Sequence, residues 1–176
     1  VRSMATDDQG TVYVGNVGDF GYLKPDRSGD LHYVSLAPEI DTSFQDVWKT
    51  YTTGDTVYFC TFKFIFEYKE DSLLNVIPTG SSWNFLNFYV NETLYLGDYK
   101  LGLRHLEDSQ VVSSPGGSFY KGKDIFMILP FREDHLLVGT RSGLFVYDPG
   151  SGQSRPVDQM GKQFPALNRY IKSVQL

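Results

Sequence analysis

Apolar and polar positions alternate along this chain in short runs separated by polar turns. The stretch "ILPFREDHLLVGTRSGLFVYDPGSG" (128–152) shows the pattern at its clearest. An apolar run meets "RED", a second run ends in Gly-Thr, and a third run closes on "DPGSG". Short runs rich in Val, Ile, Tyr and Phe, bounded by Gly, Pro, Asn and Asp, predict strands joined by tight turns. The central string "LLVG" (136–139) has counterparts at "VYVG" (12–15), "VYFC" (57–60) and "LYLG" (94–97). A period of about 40 residues with several strands per unit is the signature of blade-like repeats.

The flanks repeat as well. A β-like run precedes each string: "VRSMATD" (1–7), "DVWKTYTT" (46–53), "WNFLNFYV" (83–90) and "DIFMILPF" (124–131). A third run follows: "FGYLKP" (20–25), "FIFEYK" (64–69), "LGLRHL" (101–106) and "GLFVYD" (143–148). Weaker fourth runs such as "LHYVSL" (31–36) and "QVVSSP" (110–115) complete four-stranded antiparallel meanders. The expected fold is all-β, a β-propeller with blades at about 1–36, 46–79, 83–115 and 124–158, in one partial domain covering 1–176. The inner runs are nearly continuous in apolar residues, which predicts burial between neighbouring blades. No segment has a capped 3.6-residue period, so helix should be negligible. "YIKSVQL" (170–176) matches the first strand of a further unit. Four blades plus that strand predict an arc of a larger ring of about seven blades, with a closed four-bladed ring as the alternative. Blade faces left uncovered would drive self-association.

Composition supports the β reading. Aromatics make up 15% of the chain, with 12 Tyr and 13 Phe, and 17 Gly and 8 Pro supply turns. The net charge of −5 comes without any basic run, which argues against nucleic acid as a partner. No apolar run reaches membrane-spanning length, so no membrane contact is expected of this segment. The chain opens on strand-like sequence with no signal peptide, so the protein is either cytoplasmic or an excised piece of a longer chain. The single cysteine, Cys60, excludes an intrachain disulfide and a Cys-rich metal site, and its apolar neighbours predict a buried, inert thiol.

The fourth unit resembles the two-component regulator propeller repeat, whose pattern runs close to "I..D..GNLWIGT..GLYRYDP.TG". It supplies Ile128, Leu136, Val138, Gly139, Thr140, Gly143, Leu144, Tyr147, Asp148, Pro149 and Gly152. The other units depart further: Gly15 is followed by Asn16, Cys60-Thr61 stands before Phe64-Ile65, and the third unit keeps Gly97, Gly102 and Leu103. Tyr13, Tyr58, Tyr95 and Leu137 replace the pattern's Trp. The Gly-His and Trp-Asp signatures of WD repeats do not occur. The resemblance implies a periplasmic sensor domain of a hybrid histidine kinase of the Bacteroidetes type, a signal-transduction protein that commonly responds to carbohydrate breakdown products. Its partners would be an oligosaccharide ligand and the rest of the parent receptor chain. The kinase activity would lie elsewhere in that chain.

Meander topology sorts the loops. Turns after strands one and three share one face; turns after strand two share the other with the longer blade-to-blade connections. Recognition tends to reside on variable loops held by a rigid scaffold, which favours the second face. Its strand two-to-three turns carry Asp19, Lys63, Asp98, Tyr99, Lys100 and Arg141, and Trp48 and Trp83 begin or lie within neighbouring strands. Aromatic platforms beside hydrogen-bonding groups suit a sugar, so these eight residues are the candidate ligand set. Each has a plainer reading, the tryptophans as blade packing and the cations as solvated charges.

Nothing points to catalysis, a metal or a cofactor. His32, His105 and His135 lie in different units, and no Ser–His arrangement is apparent. Most acids fall in hairpin turns such as "KED" and "EDH", the "NET" sequon (91–93) sits in a repeated tight turn, and "GNVGDFG" (15–21) opens no helix. Three functions remain: a non-enzymatic sensor, a protein-interaction scaffold, and a piece of a propeller glycoside hydrolase or lyase acting through paired carboxylates.

Overall fold

The computed structural model describes residues 1–37, 40, 43–69, 72–80 and 86–157. Among the described residues sixteen strands form four four-stranded sheets, each a meander in chain order. The first holds β1 (Ser3–Thr6), β2 (Val12–Gly15), β3 (Phe20–Pro25) and β4 (Leu31–Ser35). The second holds β5 (Lys49–Thr53), β6 (Thr56–Cys60), β7 (Phe64–Lys69) and β8 (Ser72–Pro78). The third holds β9 (Leu86–Val90), β10 (Thr93–Asp98), β11 (Gly102–Glu107) and β12 (Gln110–Ser113), and the fourth β13 (Ile125–Phe131), β14 (His135–Thr140), β15 (Gly143–Tyr147) and β16 (Ser154–Pro156). The four strings found by repeat are β2, β6, β10 and β14, the second strand of every sheet. Helix among the described residues is limited to 3₁₀ conformation, at Ala37 and in the turn Gly117–Tyr120. The predicted opening strand of a further blade, 170–176, and Trp83 lie outside the described residues.

Burial peaks in the second and third strands, as in β6 and β7, and fades to the fourth, where β4 and β12 have no fully buried residue. First strands are less covered than their apolar content predicts; Met4 on β1 is 61% exposed and Leu129 on β13 is 47% exposed.

The chain divides into two compact units. The first, Val1–Asn87 with Glu107–Val111, contains the first two sheets. Its core is aromatic: Phe20 stacks on Phe59 at 4.3 Å and meets Phe66 and Tyr68, with Val47 and Leu36 filling the remainder. The second, Phe88–Leu106 with Val112–Leu176, contains the body of the third sheet and the whole of the fourth. Its core mixes aliphatics (Leu103, Ile125, Ile128, Leu136, Val138) with Tyr95, Tyr120, Phe145 and Tyr147.

Two devices recur in both units. The Tyr68 hydroxyl donates to the Leu36 carbonyl and the Tyr147 hydroxyl to the Pro115 carbonyl, each reaching 32 residues back to the end of the preceding sheet. A buried hydroxyl needs such a partner, and a buried carbonyl needs a donor. The second device is the glycine that ends the second strand. A Cβ on Gly15 would stand 2.6 Å from Val47, and one on Gly97 would stand 2.9 Å from Ile125, both at the start of the following sheet. Close sheet approach therefore demands a minimal side chain there.

Candidate functional site

Directly after Gly15, Cys60, Gly97 and Gly139 come Asn16, Thr61, Asp98 and Thr140, short polar residues suited to opening a turn. Thr61 donates through Oγ1 to the Phe64 carbonyl and accepts from the Phe64 amide. Thr140 Oγ1 donates to the Gly143 carbonyl. Asp98 does the same work with a carboxylate, accepting from the Lys100 and Leu101 amides through Oδ1 while Arg104 Nη2 donates to Oδ2 at 3.1 Å. This last pair is buried, and burial pulls the Arg104 pKa down against the opposing pull of Asp98. Asp98 is thus committed inside its own turn.

These turns lie against the blade-to-blade connections, as meander topology requires. In the first unit Val17 bridges Asp46, and the Gly18 amide donates to the Gln45 carbonyl. In the second unit the Gly122 amide donates to the Tyr99 carbonyl, and Arg141 pairs through Nε with Asp124 at 3.0 Å. Tyr99 and Lys100 stand exposed beside Asp98, and Arg141 is largely exposed. Asp19 accepts from Ser35 Oγ at 2.6 Å; burial, with the hydrogen bond to Asp19 behind it, holds the Tyr33 phenol above its usual pKa.

One cavity occupies this face of the first unit. It measures about 290 Å³ and is lined by Ser43, Phe44, Gln45, Thr61, Phe62 and Lys63. The connection contributes one wall and the β6–β7 turn the other. Behind it, Phe62 meets Trp48 edge-on at 5.9 Å. Trp48 lies one residue before β5, half-buried, with the Arg2 guanidinium 5.0 Å from its ring. Arg2 in turn pairs with Asp46 at 2.6 Å. Of the eight candidates, Lys63 lines this cavity, Trp48 packs on its Phe62 wall, and Asp19 follows Gly18, whose amide bonds Gln45. Asp98, Tyr99, Lys100 and Arg141 belong to the second unit. Sequence reasoning missed Phe44, Gln45 and Phe62. Gln45 ends the "APEIDTSFQ" connection, and Phe62 is the residue before Lys63 in "TFKF", so both lay within loops already singled out.

A second, more open cavity of about 360 Å³ lies on the fourth sheet, at the β13–β14 hairpin and β16, with Phe131, His135, Val146 and Arg155 among its walls. Cys60 is buried, and burial pushes its thiol up to about 12 against a small opposing effect of Asn87. Each carboxyl group with a displaced pKa (Asp26, Asp55, Asp148) is displaced downward, chiefly by hydrogen bonds from Ser28, Lys69 and Ser151 respectively. Among the described residues no group of three or more His, Cys, Asp or Glu side chains could hold a metal ion, and no helix is long and apolar enough to cross a membrane.

No family model matches the sequence, and no curated protein matches it. Solved structures do. The WD40 β-propeller domain of Doa1 aligns with a TM-score of 0.59 at 14% identity, over 86% of this chain and 52% of that one. The extracellular domain of a hybrid two-component system from B. thetaiotaomicron aligns with a TM-score of 0.59 at 16% identity, over 89% of this chain and 21% of that one. Virginiamycin B lyase from Staphylococcus aureus aligns with a TM-score of 0.58 at 12% identity, over 86% and 53%. The fold is that of β-propeller blades, and the chain spans about half or less of the length of each of these structures. One of the three is a lyase and another the extracellular domain of a hybrid two-component system, so the shared fold does not by itself fix an activity.

Proposed function

We propose that the chain is a non-enzymatic ligand-sensing section of the extracytoplasmic, periplasmic part of a two-component receptor, and that its ligand is a glycan. The observation that carries this reading is the cavity between the 43–45 connection and the β6–β7 turn. Phe44 and Phe62 offer apolar walls, and Ser43, Gln45 and Lys63 supply polar groups at the same opening. A sugar ring has one apolar face and a rim of hydroxyls, so it can use both at once. The cavity stands among the variable connections, where binding groups tend to reside. The repeat pattern in the fourth unit and the likeness to a two-component extracellular domain support the receptor assignment.

An enzymatic reading needs a carboxylic acid held protonated near neutral pH beside a second carboxylate. Among the described residues the displaced carboxyl groups are displaced the other way, and none of them lines the cavity. A docking scaffold is the second reading, favoured by outward-facing Leu74 and Val76 on the outer strand β8. Isothermal titration against a panel of oligosaccharides, with Phe62→Ala as control, tests the sensing reading. Saturable heat that the variant loses is the expected result; no heat at millimolar sugar would overturn the glycan ligand.

A further inference from the structure

The chemistry of the cavity walls narrows the ligand beyond "glycan". A site for neutral sugars usually sets acceptors against hydroxyl protons, and carboxylates are the strongest acceptors a protein has. Among the described residues no carboxylate lines this cavity. Its side-chain polar groups are the Ser43 hydroxyl, the Gln45 amide, the Lys63 ammonium and Thr61, whose hydroxyl is already donated to Phe64. Asp46, next to Gln45 in the chain, pairs with Arg2, and Asp19 on the β2–β3 turn accepts from Ser35.

Lys63 is exposed at the cavity and has no carboxylate partner among the described residues. Four cations elsewhere in the molecule have a carboxylate partner, Arg2 with Asp46, Lys69 with Asp55, Arg104 with Asp98 and Arg141 with Asp124; Lys63 shares its lack of one with surface lysines such as Lys24, and differs from them in standing at a cavity with aromatic walls. A cavity with apolar ring walls, net donor character and one uncompensated cation is matched by a ligand with an apolar face and an anionic acceptor. We propose that this cavity selects saccharides carrying a carboxylate, with the ligand's anionic group on Lys63 and its ring against Phe44 and Phe62. The inference rests on the glycan reading above and specifies its chemical class.

The test is a pairwise titration. A galacturonic acid trimer and the neutral galactose trimer of the same length are measured against the protein, Lys63→Ala and the surface control Lys24→Ala. The acidic trimer is expected to bind at least about tenfold more tightly than the neutral one, the advantage of a charge-assisted hydrogen bond. Lys63→Ala should abolish that ratio, Lys24→Ala should keep it, and added salt should shrink it. Equal affinity for the two trimers, or a ratio unchanged in Lys63→Ala, overturns the acidic-sugar inference and leaves the glycan reading standing. Silence with both trimers overturns the inference, and the glycan reading then fails only if the wider oligosaccharide panel is silent too.

Discussion

The two compact units solve one packing problem with different materials. In the first, the seam between sheets is a stack of rings, Phe20 on Phe59 and Phe66 with Tyr68 at the edge. In the second, aliphatic side chains fill the middle and three tyrosines, Tyr95, Tyr120 and Tyr147, ring it. What stays constant is the frame: a small residue ending the second strand, a short polar residue opening the next turn, and a third-strand tyrosine bonded to a carbonyl 32 residues earlier. The frame specifies the blade. The filling has to match only in volume and polarity, as cores generally tolerate.

The comparison breaks most sharply under core truncation. Phe59→Ala should cost about 3–5 kcal/mol and Leu136→Ala about 2–5 kcal/mol, values usual for buried side chains. Hydrogen exchange should show each loss confined to its own unit. A Phe59→Ala variant that also deprotects β13–β15 would show that the units unfold together.

Next come the frame positions. Gly15→Ala and Gly97→Ala should each cost about 1–3 kcal/mol by overpacking, with Gly15 the worse because Ser3 Oγ and Val47 both crowd its Cβ. Thermal unfolding of the pair measures it. Tyr68→Phe and Tyr147→Phe should cost about 1–2 kcal/mol each by leaving a carbonyl unpaired. Near-equal losses would support equivalence of the two hydrogen bonds; a neutral variant in one unit would refute it.

Alkaline pH should weaken both units, the first through Tyr33 and Cys60 and the second through three tyrosines. Burial raises the phenols of Tyr95, Tyr120 and Tyr147 in the second unit, Tyr120 to about 12 from an ordinary 10.0. A pKa raised on folding contributes stability that is complete below the unfolded value and is lost as pH climbs through the folded one. Stability of the second unit should therefore hold to about pH 10 and fall towards pH 12. Tyrosinate absorbance followed with exchange protection checks this, and Tyr120→Phe should blunt it. The smallest effect is a gain. Glu92 holds a φ of 59° in the β9–β10 turn, a region that suits glycine, so Glu92→Gly should stabilise by about 0.5 kcal/mol in a denaturant titration.

Much of the frame was legible because it recurs. "LLVG" and its counterparts gave the second strands, since β-branched and aromatic runs ending in Gly-polar pairs have one easy fold. Burial of the first strands was not legible. Apolar content tells what a strand could bury, while Met4 and Leu129 remain exposed because burial depends on what packs against them. The site was legible as a face but less so as a set of residues. Lys63 lies on the β6–β7 turn and Trp48 just before β5, while Asp98 reads as a surface acid and is folded inward by Arg104, a partner six residues away whose burial no local pattern reveals. Phe62 escaped attention because an aromatic in a β-rich chain reads as core.

The small residue that ends every second strand has one more outcome. Three units place glycine there and one places Cys60. A sulfhydryl is among the slimmest side chains a strand can carry, and at this location slimness is the requirement. Cys60 is best understood as a spacer chosen for girth, so replacement by Ala should pass unnoticed, and alkylating reagents should ignore it until the sheets come apart.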